Sequence, residues 1–335
     1  MKVKFAPLNT PLKRRLQTAA VFQWVLTFLL LAEVCIGIIV MLIIYNYWYI
    51  YIPYLIWLYF DWNTPEQGGR RFSWVQSWTV WRYFQDYFPI HLIKTQDLDP
   101  GHNYIFGFHP HGIFVPGAFG NFCTSYSDFK KLFPGFTPFL HVISFWFQCP
   151  FFREYLMSIG IVSVSKKSIT HVLSKNGGGN ISVIVLGGAK ESLEAYPGKF
   201  SLFIRHHKGF VKLALIHGAS LVPVFSFGEN ELLKQMNNPE GSWLRTAQDT
   251  VYKLTGLALP LIYARGVFQY SFGFMPYRKP IHTVVGRPIP VQQTPHPTPE
   301  QIDKLHQTYV EELKKLFDEH KGKYGISEDK VLVFK

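Results

Sequence analysis

Two histidines separated by one residue are the side chains of this sequence best suited to carry chemistry. His109 and His111 flank Pro110 at the end of the apolar run "NYIFGF", residues 103–108, and Gly112 follows them. Histidine has an unperturbed pKa of about 6.5, so near neutral pH an imidazole can take up a proton, release one or bind a metal ion. Pro110 restricts the backbone between the two rings, and Gly112 lets the chain pass close to a ligand.

Three roles are compatible with this pair. One histidine acts as a general base that takes a proton from an alcohol, which then attacks an activated acyl group. In the second role both bind a metal ion, as in hydrolases of the amidohydrolase type. That site needs further ligands at later strand ends, which here read Gly-Gly and Phe-Gly-Glu. In the third role both rings satisfy loop carbonyls. The residues favour the base and leave the other two roles open.

Other catalytic routes find little support in the sequence. There is no Gly-x-Ser-x-Gly motif, and Cys35, Cys123 and Cys149 lie among apolar residues. Their odd number and wide spacing also argue against a disulfide framework. The glycine-rich "NGGGN" at 176–180 lacks the Gly-Lys-Ser/Thr of a phosphate-binding loop. We interpret it as a turn.

An α/β fold, with a mostly parallel sheet and flanking helices, is predicted to position the histidines. After about residue 63, apolar and β-branched runs alternate with helix-like segments. The predicted strands are 103–108, 161–164, 181–188, 220–228 and 281–289, and predicted helices include 151–160, 166–175 and 209–218. Ligand sites in such sheets form beyond the carboxyl ends of strands, where His109 and His111 lie. A capping box at Thr298–Gln301 predicts a final helix with Tyr309 on its apolar face.

A transmembrane helical hairpin is predicted to precede this domain. From Leu16 to Phe60 the only charged residue is Glu33, and the segment is long enough for two passes, 21–44 and 45–60. Basic residues flank it on both sides, which places both ends in the cytosol. These residues are Lys13, Arg14, Arg15, Arg70 and Arg71. We therefore divide the chain into residues 1–62, the cytosolic N-terminus and hairpin, and 63–335, a cytosol-facing domain.

The charge balance restricts the partners. Charged residues make up 17% of the chain, below the roughly 25% typical of soluble domains, and the net charge is +12. Such a charge suits an anionic lipid surface or a substrate that carries phosphate. Nucleic acid is the weakest candidate because the sequence has no zinc-finger spacing, ribonucleoprotein motif or dense Lys/Arg run.

Four motifs occur in a characteristic order: "YFP" at 87–89, "HPHG" at 109–112, "GGAKESL" at 187–193 and "GFVKLALIHGASLVPVFSFGEN" at 209–230. Together they resemble the type 2 diacylglycerol acyltransferase family, which includes monoacylglycerol acyltransferases and wax synthases. The resemblance runs over nearly the whole chain. It implies a glycerolipid acyltransferase-like fold in a multi-pass protein of the endoplasmic reticulum membrane, with both termini and the catalytic domain in the cytosol.

The implied activity is transfer of a fatty acyl group from acyl-coenzyme A to a lipid alcohol. The expected acceptor is monoacylglycerol, with some activity on diacylglycerol. A wax or retinol acyltransferase of the same family, or a metal-dependent hydrolase, is the alternative. No cofactor is expected beyond acyl-coenzyme A as co-substrate, and a homo-oligomer is compatible with the resemblance.

The resemblance also assigns site residues. His109 and His111 are implied to be catalytic, with one of them the general base. Related glycerolipid acyltransferases place an aspartate five positions after a histidine, but Phe114 and Pro116 stand at those positions here. The orienting carboxylate must then come from elsewhere; Glu229 is our first choice and Glu191 our second.

Substrate contacts are expected from three further groups. Backbone N–H groups near Gly112 or Gly187 and Gly188 would stabilise the oxyanion, and basic residues would bind the coenzyme A phosphates. The predicted substrate-binding residues are Pro110, Gly112, Gly187, Gly188, Arg205, Lys208, Lys212, Tyr87, Phe88 and Pro89. One departure is His207, which stands where the family usually has arginine in Arg-x-Gly-Phe.

Overall fold

A seven-stranded sheet between two layers of helices forms the centre of the protein. The computed structural model describes residues 3–175 and 177–335. The strands are β1 Ile90–Lys94, β2 Tyr104–His109, β3 Thr137–Val142, β4 Ile161–Ser163, β5 Asn180–Val185, β6 Ser201–Leu202, β7 Ser220–Phe227, β8 Lys234–Gln235, β9 Ile262–Tyr263, β10 Ile281–Val285 and β11 Val333–Phe334. The helices are α1 Leu12–Ile44, α2 Trp48–Asp61, α3 Ser73–Gln76, α4 Thr79–Tyr87, α5 Pro116–Cys123, α6 Phe129–Leu132, α7 Phe152–Ile159, α8 Lys166–Leu173, α9 Gly188–Ser192, α10 Gly209–His217, α11 Trp243–Thr255 and α12 Pro299–His320.

The strand order is β1-β10-β7-β2-β5-β3-β4. The strands from β7 to β4 are parallel to one another, which confirms the predicted mostly parallel sheet. β10 runs antiparallel to β7, and β1 runs parallel to β10. β1 and β3 lie outside the runs predicted as strands.

Alternate residues of the central strands pack into two different cores, as expected for a sheet covered on both faces. Phe106 and Phe108 of β2 join the core beneath α1, α4, α5 and α7, whereas Ile105 joins the core beneath α8, α10 and α12. β2 is buried along its whole length. The packing on both faces of β2 therefore fixes the position of its carboxyl end.

Helix α12 begins as its sequence predicts. The Thr298 hydroxyl accepts a hydrogen bond from the backbone N–H of Gln301, and the Gln301 side-chain oxygen accepts one from the backbone N–H of Thr298. Its apolar face packs on β7 and α10, with Tyr309 and Leu313 fully buried. The helix thus belongs to the core of the domain.

The N-terminal region forms a pair of helices. α1 has 33 residues and is the one helix in the described residues long and apolar enough to cross a membrane. α2, where the second span is predicted, has 14 residues, fewer than the roughly 20 that cross a bilayer. Part of α1 packs on the domain: the Trp24 ring lies 4.9 Å from the Phe84 ring and 5.6 Å from the Phe119 ring.

Both ends of the helix pair contact the same domain. Lys13 at the start of α1 forms an ion pair with Asp86 at 3.1 Å. Asp61 at the end of α2 forms ion pairs with Arg70 at 2.7 Å and with the buried Arg153 at 3.2 Å. The division at residue 62 stays a prediction. The predicted turn at 176–180 includes Asn176, which lies outside the described residues.

Candidate active site

Three strand ends meet at one edge of the sheet. His109 is the last residue of β2 and pairs in register with Phe225 of β7. β5 ends beside it and continues into Gly187, and β7 continues into Glu229. The sheet thus brings the HPHG motif, the Gly187–Glu191 segment and Glu229 together at the carboxyl ends of parallel strands.

His109 is fully buried and is held by a tyrosine from the last helix. Its Nε2 lies 3.1 Å from the hydroxyl of Tyr309, which itself donates to the Gly107 carbonyl at 3.1 Å. The Gly107 carbonyl can only accept, so both hydrogen bonds form together only when the hydroxyl donates to Gly107 and accepts from Nε2–H, which leaves the lone pair on Nδ1. Burial lowers the His109 pKa to about 3, so the ring is neutral at pH 7.

His111 is the partly exposed member of the pair. Its Nδ1 lies 3.3 Å from the Gly112 carbonyl, which can only accept, so Nδ1 donates and Nε2 carries the lone pair. Burial lowers its pKa, which keeps the ring unprotonated at neutral pH. A reacting alcohol can therefore meet a basic nitrogen at His111.

Glu191 fixes the backbone of the motif. Its two carboxylate oxygens accept hydrogen bonds from the backbone N–H of His111 at 2.6 Å and of Phe203 at 2.8 Å. A side chain at Gly187 would place its Cβ 2.0 Å from Oε2 of Glu191, so only glycine fits there. Burial raises the Glu191 pKa to about 7. This carboxylate ties the strand ends together.

Glu229 lies against the other side of the motif. Its Oε1 accepts from the Gly117 N–H at 2.8 Å and from the Ser226 hydroxyl at 3.2 Å. Its Oε2 is buried, with no hydrogen-bond partner in the described parts of the chain. A Cβ on Gly112 would stand 3.6 Å from the Cβ of Glu229, so the two residues are in contact. Burial raises the Glu229 pKa to about 8.

The hydrogen bonds of these groups differ from a histidine–carboxylate dyad. Across residues 3–175 and 177–335, neither imidazole is hydrogen-bonded to a carboxylate. His109 has Tyr309 as its partner, and His111 has the Gly112 carbonyl. The sequence does not predict this role of Tyr309, because the apolar periodicity places the residue on the packing face of α12. Its hydroxyl was the available signal, since a buried tyrosine usually finds a hydrogen-bond partner.

The YFP motif is buried next to the same edge of the sheet, where it contacts the start of β10. Tyr87 and Phe88 are fully buried, and the Tyr87 hydroxyl donates to the Pro276 carbonyl at 2.6 Å. The carbonyls of Phe88 and Pro89 accept from the backbone N–H of Ile281, the first residue of β10. In this structure the two aromatic side chains pack inward.

The predicted phosphate-binding residues lie around the start of α10. Arg205 and Lys212 are exposed, and Lys208 forms an ion pair with Asp303 at 2.6 Å. Nδ1 of His207 donates to the Phe203 carbonyl at 2.7 Å. Gly188 has no atom near the position of an added Cβ, so the start of α9 is open.

Metal donors are dispersed in this structure. The residues that the structure describes contain no group of three or more His, Cys, Asp or Glu side chains that could hold a metal ion. The three cysteines are free and buried, and burial raises the pKa of Cys123 to about 12. The donor geometry thus gives no support to the hydrolase alternative.

Two openings adjoin the strand ends. A cavity of about 660 Å³ has Pro110 in its wall. A small apolar void of about 10 Å³ is lined by Trp24 of α1 and by Glu229. The site therefore adjoins a large cavity on one side and the apolar helix α1 on the other.

Known proteins resemble this chain over most or all of its length. The family model described as diacylglycerol acyltransferase matches residues 40–335. 2-Acylglycerol O-acyltransferase 1 of Mus musculus is 76% identical over 335 residues, 100% of each chain. Diacylglycerol O-acyltransferase 2 of Homo sapiens is 51% identical over 97% of this chain and 84% of its own. A crystal structure of a 1-acyl-sn-glycerophosphate acyltransferase from Thermotoga maritima matches 72% of this chain and 75% of its own, at 12% identity and a TM-score of 0.37, too low to bear on the fold. The chain thus belongs to the diacylglycerol acyltransferase family.

Proposed function

We propose that this protein is an acyl-coenzyme A-dependent O-acyltransferase that esterifies monoacylglycerol to diacylglycerol, with some activity on diacylglycerol. The observation that carries the proposal is the 76% identity, over both full chains, to a protein named 2-acylglycerol O-acyltransferase 1. The HPHG motif at a carboxyl edge of the sheet supports it, because such edges hold the ligand sites of open α/β folds.

In the proposed reaction Nε2 of His111 takes the proton of the acceptor hydroxyl as the oxygen attacks the thioester carbonyl. The tetrahedral intermediate then collapses, the carbon–sulfur bond breaks, and the proton passes to the departing thiolate. The exposure of His111 and the direction of its Nδ1 support this role. Backbone N–H groups near Gly112 or Gly187 and Gly188 are the proposed oxyanion donors.

The remaining site residues act as positioning groups in this proposal. His109, clamped by Tyr309, fixes the end of β2, and Glu191 fixes the backbone of His111. Glu229 packs on Gly112 and, with a pKa of about 8, is mostly protonated at neutral pH. As a neutral acid it can donate from its free Oε2 to a bound substrate. The reaction needs no metal or cofactor.

For the membrane arrangement we propose a hairpin of α1 and α2 in the endoplasmic reticulum, with both termini and the domain in the cytosol. The ion pairs Lys13–Asp86 and Asp61–Arg153 support it, because both ends of the helix pair reach one domain and must share its side of the membrane. Trp24 of α1 and Glu229 line the same small apolar void, so the apolar helix lies next to the site, which suits an acceptor drawn from the bilayer.

The test uses membranes from cells that express the full-length protein and lack background activity. Labelled acyl-coenzyme A is supplied with monoacylglycerol, diacylglycerol, retinol or a long-chain alcohol, and the products are separated. We expect monoacylglycerol to be the best acceptor and the double variant His109→Ala, His111→Ala to be inactive. His296→Ala, which removes an exposed histidine far along the chain, is the control. Full activity of the double variant, or labelling of retinol or the alcohol alone, would refute the proposal.

A further inference from the structure

The cavity beside Pro110 has the size and wall chemistry of a nucleotide site. Its volume of about 660 Å³ falls in the range of roughly 300–1,000 Å³ typical of small-molecule sites. Its wall comes from the end of β7, the start of β10 and the segment after α12, residues 323–330. None of the residues predicted to bind phosphate lines it.

Lysines dominate the charge of this wall. Lys279, Lys323 and Lys330 line the cavity, and Glu231 is the acid among the lining residues. Glu231 pairs with Lys279 at 3.1 Å and Asp329 pairs with Lys330 at 4.0 Å, whereas Lys323 has no ion-pair partner in the part of the chain that the structure describes. The wall therefore carries excess positive charge, which favours a phosphorylated ligand.

Aromatic rings form another part of the wall. The Tyr324 ring lies 4.6 Å from the His282 ring and 4.7 Å from the Phe227 ring, and all three residues line the cavity. Flat aromatic surfaces bind nucleobases by stacking without a sequence-specific hydrogen-bond pattern. The wall thus combines cations for phosphate with a surface for a base.

The cavity also adjoins the reaction site. Pro110, which lies between the two histidines in sequence, lines the cavity, and Ser226, another lining residue, donates its hydroxyl to Glu229. A ligand held at the lysines can therefore extend its far end toward His111.

We propose that this cavity binds the adenosine 3′,5′-bisphosphate end of acyl-coenzyme A, with phosphates on Lys279 and Lys323 and the base against Tyr324. This inference rests on the proposed acyl transfer and locates its donor. The pantetheine arm then runs past Pro110 and presents the thioester to His111. The basic residues at the start of α10, Arg205 and Lys212, are the rival site that the sequence suggests.

The first experiment measures steady-state kinetics of the full-length protein in membranes. In Lys323→Met, we expect the KM for acyl-coenzyme A to rise roughly tenfold, the loss of one strong phosphate contact, with kcat and the KM for monoacylglycerol unchanged. Lys279→Met is combined with Glu231→Gln, so that no unpaired acid is left behind. Lys314→Met with Lys315→Met, which removes exposed charge from α12, controls for general electrostatic attraction.

Rescue and direct binding separate a binding role from a folding defect. Lys323→Arg keeps the charge and should restore the KM. Adenosine 3′,5′-bisphosphate should compete with acyl-coenzyme A in the wild type and lose about tenfold in potency in Lys323→Met. Equilibrium dialysis of labelled coenzyme A against solubilised protein measures the same loss without any turnover.

Three results would overturn the inference. The cavity variants could keep the wild-type KM and coenzyme A affinity while Arg205→Met with Lys212→Met raises the KM, which would place the phosphates at α10. A fall in kcat with unchanged KM would assign the lysines to something other than donor binding. An equal rise in the KM for acyl-coenzyme A in the α12 control would show that the cavity lysines act only through general surface charge. A wild type that binds coenzyme A but acylates no acylglycerol would refute the proposed function and leave the dialysis result on the cavity standing.

Discussion

The hydroxyl of Tyr309 reaches Nε2 of His109 at 3.1 Å across 200 residues of sequence. It does so through the space beside Gly107, where an added Cβ would lie 1.9 Å from the tyrosine oxygen. A glycine in β2 and a tyrosine in α12 are therefore complementary. Their fit fixes which nitrogen of His109 carries the proton.

Tyr309→Phe should reduce activity and stability together. Nε2–H of His109 would remain buried without a partner, which costs about 1–3 kcal/mol of unfolding free energy. We expect kcat to fall while the KM for both substrates stays the same, because the phenol touches the imidazole and not the substrate. Denaturant titration and steady-state kinetics on the same preparation measure both effects. An unchanged kcat with lower stability would limit Tyr309 to packing.

Gly107→Ala tests the same fit from the strand side. The added methyl would overlap the Tyr309 hydroxyl and come within 2.8 Å of Leu186. We expect loss of activity and a destabilised protein, both measured as for Tyr309→Phe. Gly209→Ala is the matched control, because an added Cβ there meets no atom within 4 Å. Equal effects of the two substitutions would argue against the steric explanation.

The two histidines should respond differently to single substitution. His111→Ala removes the proposed base, and general bases contribute roughly 10²–10⁴-fold, so we expect kcat to fall by at least about 100-fold with normal stability. His109→Ala should lower activity and also the unfolding free energy, because it opens a buried site. Kinetics and unfolding of both variants separate the roles. A larger kcat effect at His109 with full stability would make it the base.

Glu229 should make stability depend on pH. Its pKa is raised from 4.5 to about 8 in the folded protein, so the folded state binds the proton more tightly than the unfolded state. Stability from this group is therefore full below about pH 4.5 and is lost as pH rises to about 8. Glu229→Gln is neutral at every pH, so its stability should not fall with pH in this way. Its stability relative to the wild type should therefore increase as the pH rises from about 4.5 to about 8. Thermal melting from pH 5 to 9 tests this, and parallel curves would contradict the buried acid.

Asp61→Asn should weaken the attachment of the end of α2 to the domain. Asp61 pairs at 3.2 Å with Arg153, whose side chain is fully buried. Breaking a buried pair costs about 3–5 kcal/mol, and because Glu154 remains 3.6 Å from Arg153 we expect a loss of unfolding free energy toward the lower end of that range. Unfolding of the solubilised protein measures the loss. Asp97→Asn is the control, because Asp97 is exposed in its pair with Lys94 and should cost less than about 1 kcal/mol. Similar losses would show that the two pairs contribute equally.

Local sequence patterns predict much of this architecture. The apolar, β-branched runs predict β2, β5 and β7 to within a few residues, and the capping box predicts the start of α12. Hydrophobic periodicity and helix capping depend on residues that are close in sequence, so these elements can be predicted from each segment by itself. The placement of the HPHG motif at a strand end follows in the same way.

The partners of the site residues depend on the tertiary structure. Sequence nominates Glu229 and Glu191 as carboxylates for the histidines, but in the fold Glu229 accepts from Gly117 and Ser226, and Glu191 accepts from two backbone N–H groups. The sequence pattern predicts that Tyr309 packs in the core, and the fold brings its hydroxyl to His109. A local pattern shows that a side chain faces the core. Which polar atom it meets depends on segments far away in the chain, and only their packing brings the two atoms together.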